Sequence, residues 1–159
     1  MGDANVGPGG HISTGRFAAT VRSPARLTIL VFGGLAALLG LIGLVHPEAT
    51  LSLLSFDVVE RSTRPPGDYT LVFLIASSMA AVNMGAYYIL AAVLNVRPFF
   101  VWTVPFRVLT FCIFTLAVLR GLAPTGFVAV GAWELAGAAA TGFALRYEHR
   151  PRADRVLRS

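Results

Sequence analysis

The chain has 159 residues, which is enough for one domain, and its formal net charge is +5. Hydrophobic residues make up 55% of the chain and charged residues only 13%. That is about half the charged share of soluble domains, so the composition argues against an ordinary soluble domain and indicates a membrane protein. The positive charge does not predict a nucleic-acid partner, because the Arg residues gather at the ends of apolar segments and in the tails, as the positive-inside rule requires.

The first apolar segment, 27–45, follows a stretch that is rich in Gly, Pro and small polar residues. We expect this preceding stretch, 1–22, to be a disordered tail. The apolar segment has nineteen uncharged residues, which span roughly 30 Å as a helix. A cleaved signal peptide is the competing interpretation. We favour a retained anchor, because signal peptides have apolar cores of about 7–15 residues and no small-residue cleavage site follows Val45.

The longest connection, 46–68, contains six charged residues. Pro47 suits the first position of a helix, and 49–56 is apolar but short. This segment is either an interfacial helix on the membrane surface or a packed loop. The Arg-Pro-Pro-Gly sequence at 64–67 then breaks any helix before the next apolar segment.

Three more apolar segments follow, separated by short turns. The sequence therefore predicts an all-α, integral membrane four-helix bundle over 23–147, followed by a basic tail at 148–159. The four expected spans are 27–45, 69–94, 99–119 and 125–145. Nine Arg residues fall on the side of the two tails and three on the other side, which predicts that both termini are cytoplasmic. The 46–68 loop would then face outward.

Two charged residues, Arg107 and Glu134, fall inside the expected third and fourth spans. A short turn joins these spans, so they must be antiparallel neighbours. Counted at 1.5 Å per residue from opposite membrane faces, the two Cα atoms differ in depth by about 4–5 Å. An Arg side chain covers that offset, so we expect an ion pair within the membrane.

Other polar residues are expected near the same depth. Thr103 and Thr110 share a helix face with Arg107, and Asn83 on the second span lies about 21 Å from the outer face. We therefore predict an intramembrane polar layer of five residues: Arg107, Glu134, Asn83, Thr103 and Thr110. This layer either fixes which helix packs on which, or forms a proton-relay, ligand or substrate site.

Neither a catalytic residue nor a cofactor is expected from the sequence. The three His residues and Cys112 show no metal-ligand spacing, so no metal site is predicted. The rest of the chain has short loops without a cluster of chemically active side chains.

The Gly-Ala-Trp-Glu-Leu-Ala-Gly sequence at 131–137 resembles the last helix of small four-helix bacterial membrane families of the DoxX and BphX type. The Gly-Leu-Val-His-Pro-Glu sequence at 43–48 is similar in placement to the end of their first helix. The resemblance implies a four-helix bundle of poorly defined function and carries over no catalytic residue. We expect the location to be a bacterial cytoplasmic (inner) membrane.

Two functions fit these observations. The first is a non-enzymatic accessory or interaction component, whose partners would be the lipid bilayer and either other membrane proteins or further copies of the chain. The alternative is a carrier or binder of a small lipophilic molecule or a proton that uses Arg107, Glu134 and Asn83. A membrane enzyme ranks third, because it would normally show a His or carboxylate cluster near an interface.

Overall fold

The computed structural model describes residues 23–149, which form helices and turns without any β-strand. Four long helices are long and apolar enough to cross a membrane, which confirms the all-α class and the number of candidate spans for this part of the chain. The tail predicted at 1–22, and residues 150–159 of the basic tail predicted at 148–159, lie outside the described residues. The helices are α1 (Pro24–Val45), α2 (Pro47–Leu53), α3 (Thr70–Leu94), α4 (Arg97–Leu119) and α5 (Phe127–His149), with a 3₁₀ turn at Arg61–Thr63.

The helix ends differ from the predicted spans by up to four residues, and the largest differences are at the start of α1 and the end of α5. At the start of α1, Ser23 accepts a hydrogen bond from the backbone N–H of Arg26 at 3.4 Å, and Pro24 occupies the first helical position. At the end of α5, the helix continues through charged residues to His149. A run of uncharged residues therefore underestimates the length of both helices.

Helices α1 and α3 pack with their backbones in direct contact, and glycine makes this possible. A Cβ on Gly33 would overlap the Tyr88 Cβ atom and the Gly85 carbonyl. A Cβ on Gly40 would likewise overlap the backbone of α3 at Ser78. Small residues are the usual means of close helix approach in membranes, where lipid supplies no hydrophobic drive between helices.

Helix α1 lies between α3 and α5, and α4 packs against α5. Consecutive helices α3 and α4 approach each other closely only in a small region, so the bundle consists of an α1–α3 pair and an α4–α5 pair that meet mainly through α1 and α5. The hydroxyls of Thr28 and Thr141 lie 3.1 Å apart in that contact. This arrangement places the middle of α5 against both α1 and α4.

One end of the bundle is held by a partly buried polar cluster around Glu148. Its carboxylate accepts hydrogen bonds from the Ser23 hydroxyl at 2.6 Å, the Ala25 backbone N–H at 3.0 Å and the Arg97 guanidinium at 3.0 Å. These contacts join the start of α1, the start of α4 and the end of α5. Glu148 therefore belongs to the folded bundle and not to the basic tail, where the sequence analysis placed it.

Part of the 46–68 connection forms the short helix α2, which packs against α1 and α3, while its placement on a membrane surface stays a prediction. It ends in a Schellman motif: Ser55 has a positive φ of 62°, and the Phe56 N–H donates to the Leu51 carbonyl at 3.0 Å. The turn then packs on Gly126, where a Cβ would overlap the Ser55 side chain. Helix α2 and its turn thus cover the end of the bundle opposite Glu148.

Candidate functional site

Arg107 and Glu134 face each other between α4 and α5. Arg107 Nε lies 3.2 Å from Glu134 Oε2, and the two side chains are 4% and 25% exposed, respectively. The contact is an ion pair without an aligned hydrogen bond, since Nε and Nη1 of Arg107 have no hydrogen-bond partner among the described residues. A guanidinium so deeply buried must be compensated, because it stays charged under all ordinary conditions.

Aromatic rings supply part of that compensation. The guanidinium carbon of Arg107 lies 3.6 Å from the centroid of the Phe32 ring and 5.1 Å from that of Tyr88. Both distances are within the range of cation–π attraction, which is stronger where water is excluded. Arg107 is therefore held by one carboxylate and two ring faces, and it connects α4 with α1, α3 and α5.

Gly137 makes this arrangement sterically possible. A Cβ at residue 137 would overlap the Phe32 ring and the Nη1 atom of Arg107. Phe32 in turn stacks on Trp133, with ring centroids 4.5 Å apart. A chain of contacts therefore runs from Arg107 through Phe32 to Trp133. It crosses α5 at Gly137, which has no side chain.

The two threonines of the predicted layer have separate partners. The Thr103 hydroxyl lies 2.8 Å from the Tyr88 hydroxyl in a buried contact that joins α3 and α4. Thr110 donates to the Phe106 backbone carbonyl of its own helix at 3.0 Å. Thr103 thus holds the Tyr88 ring beside Arg107, while the Thr110 hydroxyl is satisfied within α4.

Asn83 differs from the prediction, because the structure places it on the outer surface of the bundle. Its depth along the helix follows from its position in the sequence, but the direction in which it faces does not. That direction is set by Gly85, whose Cβ position would overlap Ala37 of α1. Residues two apart on a helix differ by about 200°, so Asn83 faces away from α1 and does not join Arg107.

A second feature was missed by the sequence analysis: an apolar cavity of about 540 Å³ between the long helices at the α2 end of the bundle. The cavity is partly open to the outside of the bundle. Ala49, Leu53 and Leu54 of α2 and its turn line one side of it, and the half-exposed Trp133 contributes to its wall. Phe114 and Phe127, whose ring centroids are 4.7 Å apart, line another part. Its volume falls within the range of about 300–1,000 Å³ that is typical of small-molecule sites.

The cavity wall carries few polar groups. Ser77 donates its hydroxyl to the Leu74 carbonyl at 2.9 Å. Ser78 and Thr50 have no side-chain hydrogen bond to another described residue, and both hydroxyls lie beside Gly43. A mostly apolar pocket with two free hydroxyls at one place can hold an apolar molecule and orient it by a single polar group.

The signals for these missed features were weak or indirect. Phe32 lies in a span that is apolar on all sides, so nothing in the sequence marks it as the residue that stacks on Arg107. The cavity depends on the packing of four helices and a loop, which no local pattern encodes. Glu148 offered the best clue, as an acidic residue within a strongly basic segment.

The fold and these two features define a small all-α protein with four candidate membrane-spanning helices, a buried Arg paired with a partly buried Glu, and an apolar cavity next to them. Comparison with protein-family models, with curated proteins and with solved structures finds no match. The resemblance to the DoxX and BphX type therefore stays a prediction.

Proposed function

We propose that this chain is a non-enzymatic, multi-pass membrane protein that binds a small lipophilic molecule in the cavity at the α2 end of its bundle. The observation that supports this proposal is the cavity itself, with its volume of about 540 Å³ and its largely apolar wall. The site differs from the one expected from the sequence, because the ligand would contact Trp133 and α2 rather than the Arg107–Glu134 pair.

The wall chemistry indicates the ligand class. Apolar side chains form most of the lining, so the body of the ligand must be apolar. The free hydroxyls of Ser78 and Thr50 favour a ligand with one oxygen-containing group, such as a hydroxyl or a carbonyl, at the matching end. A charged ligand is disfavoured, since no charged side chain lines the cavity.

In this proposal the Arg107–Glu134 pair has a positioning role. Arg107 packs on Phe32, Phe32 stacks on Trp133, and Trp133 lines the cavity. The pair therefore fixes the aromatic wall from behind without contacting the ligand. This favours a structural role for Arg107 and Glu134 over a ligand-binding role. The ligand-binding residues of the proposed function are therefore different from those expected from the sequence.

Fluorescence of Trp133 provides the test. The chain has two Trp residues, so Trp102→Phe leaves Trp133 as the only one. A brominated fatty alcohol, which quenches Trp fluorescence on contact, is titrated into the purified protein in lipid nanodiscs. We expect saturable quenching, because a cavity holds a limited number of molecules, whereas contact with bulk lipid gives a response that keeps rising.

Two further variants separate the cavity from the surrounding surface. Ala81→Leu fills the cavity from α3, whereas Ala132→Leu adds the same atoms to an exposed position of α5 that does not line the cavity. Saturable quenching should be lost in Ala81→Leu and kept in Ala132→Leu. Both variants should show a cooperative thermal unfolding transition, which shows that they are folded. Equal quenching of both variants would contradict the proposal.

The membrane and its orientation are a further part of the proposal. We propose insertion in a bacterial cytoplasmic membrane with both termini in the cytoplasm, supported by the nine-to-three distribution of Arg. The exposed Ser62 lies in the 46–68 loop. With Ser62→Cys in a Cys112→Ser background, an impermeant thiol reagent should label intact cells, and labelling only after permeabilisation would reverse the orientation.

The accessory or interaction role expected from the sequence remains the second candidate. The observation that favours it is Asn83, an exposed amide in the middle of a candidate span. An interaction role and ligand binding are compatible, because Asn83 and the cavity lie on different sides of α3.

A further inference from the structure

Asn83 occupies an energetically unfavourable position. It lies one residue from the midpoint of α3, which runs from Thr70 to Leu94, and its side chain is exposed. Its amide makes no hydrogen bond with any other described residue. At 100° per residue it points about 160° away from Gly85 and about 140° away from Ser78, the residues that face α1. In a bilayer, this amide would face hydrocarbon that can neither donate nor accept a hydrogen bond.

The exposed surface of α3 around Asn83 offers a spacing that a helix–helix contact can use. Exposed residues recur along it at alternating intervals of four and three, which is the heptad spacing of left-handed helix pairs. These residues are Val72, Ala76, Met79, Asn83, Ala86 and Leu90. We call this set the α3 stripe. It contains two alanines, which allow close approach, and one polar residue at its centre.

We propose that a second copy of this chain packs against the α3 stripe, with the two Asn83 amides hydrogen-bonded to each other across a two-fold axis along the membrane normal. Copies inserted in the same orientation present their α3 helices in parallel, so equivalent residues meet at such an axis. A carboxamide has both donor and acceptor groups and is therefore complementary to itself.

A second copy, rather than lipid, occupies the α3 stripe in this proposal. Acyl chains would leave the Asn83 amide without a hydrogen-bond partner, so they would not reduce the cost of placing it in hydrocarbon. A single Asn at one core position of a heptad repeat is also a known means of fixing register in parallel helix pairs. The rest of the stripe is apolar and gives little drive in a membrane, so the affinity of the dimer should depend strongly on Asn83.

The first test is disulfide cross-linking of the full chain in lipid vesicles. In a Cys112→Ser background, Ala76→Cys places a thiol in the α3 stripe, about 20° around the helix from Asn83. Phe73→Cys places one on the same helix about 80° from Asn83, outside the stripe. Phe73 is 73% exposed, so the control thiol is accessible. We expect a covalent dimer from Ala76→Cys and little from Phe73→Cys. The reverse result, or equal cross-linking, would overturn the proposal.

The second test measures the affinity by energy transfer between labelled copies diluted in vesicles. Asn83→Leu should weaken dimerisation roughly tenfold, as expected for the loss of one interhelical hydrogen bond. Thr110→Val is the matched control, because it removes a hydroxyl that is already bonded within its own helix. A monomeric wild-type chain, or equal affinity of Asn83→Leu and wild type, would overturn the proposal. Neither test depends on ligand binding in the cavity.

Discussion

Gly137 and Arg107 lie so close together that a Cβ on residue 137 would overlap the Nη1 atom of the guanidinium. The same added atom would overlap the Phe32 ring of α1, which lies over the Arg107 guanidinium. The absence of a side chain at Gly137 is thus a requirement of the buried cation. Packing, charge and the aromatic wall of the cavity all meet at this point of α5.

The first prediction follows from this crossing. Gly137→Ala should destabilise the protein by about 1–3 kcal/mol, because neither a buried guanidinium nor a stacked ring can move away easily. Gly142→Ala on the same helix is the control, since its Cβ would meet only Val104 at an ordinary 3.9 Å. Unfolding in detergent measures both variants. Equal stability of the two would show that the crossing is not tightly packed.

The second prediction concerns the ion pair. Glu134→Leu should cost on the order of 3–5 kcal/mol, because it leaves Arg107 buried and charged without its carboxylate. Arg107→Met should cost less, since a lone carboxyl group can become neutral by protonation, whereas guanidinium cannot. The double variant should recover much of the loss, because both buried charges are then absent.

A double-mutant cycle of these three variants, by unfolding in detergent, tests the coupling. If the two single effects simply add, the side chains do not interact energetically despite their 3.2 Å separation. Greater damage from Arg107→Met than from Glu134→Leu would show that the cation–π contacts with Phe32 and Tyr88, rather than the carboxylate, dominate at this site.

The third prediction concerns Glu148. Glu148→Gln removes the negative charge of a carboxylate that accepts hydrogen bonds from Ser23, Ala25 and Arg97. We therefore expect the free energy of unfolding to fall by about 2 kcal/mol. Glu60→Gln is the control, because that carboxylate is exposed and makes no hydrogen bond with another described residue. Thermal unfolding compares the two, and equal melting temperatures would mean that Glu148 does not join the helix ends.

The fourth prediction is a pH dependence from the loop before α3. The Thr70 hydroxyl and backbone N–H donate to Asp68 and Arg64 pairs with it, which lowers the pKa of the Asp68 carboxyl. A lowered folded pKa stabilises the fold above the ordinary Asp value of about 3.9, and this stabilisation is lost as pH falls through the folded pKa.

Asp68→Asn should therefore have a lower melting temperature than wild type at pH 6, and this difference should shrink as the pH is lowered below about 4. Melting curves across pH 3–6 measure this difference. Glu48→Gln is the comparison. The pKa of the Glu48 carboxyl is also lowered, because Arg61 donates a hydrogen bond to it, but this hydrogen bond does not involve α3. A difference between Asp68→Asn and wild type that grows toward acid would have the wrong sign.

How much the sequence could predict depends on the kind of information each feature needs. Hydropathy is enough for the four long helices, because an uncharged run must be long enough to cross the bilayer. Depth along a helix follows from a constant rise per residue, which is why the levels of Arg107 and Glu134 could be estimated. The direction of a side chain requires an amphipathic pattern, and these helices are apolar on nearly all sides.

Asn83 illustrates that limit. Its depth was estimated in the same way as that of Arg107, yet it faces outward, because the glycines of α1 and α3 decide which side of α3 is buried. The cavity depends on tertiary packing and on the path of the 46–68 connection. The DoxX-like resemblance and the cytoplasmic placement of the termini stay predictions.

The central claim, a lipophilic ligand in the cavity beneath α2, is tested most directly by native mass spectrometry of the protein released from its own membranes. We predict that a small apolar molecule with one oxygen-containing group stays bound to the wild type and to Ala132→Leu and is absent from Ala81→Leu. A wild-type protein that carries no such molecule, or an Ala81→Leu variant that carries the same amount, would contradict the claim.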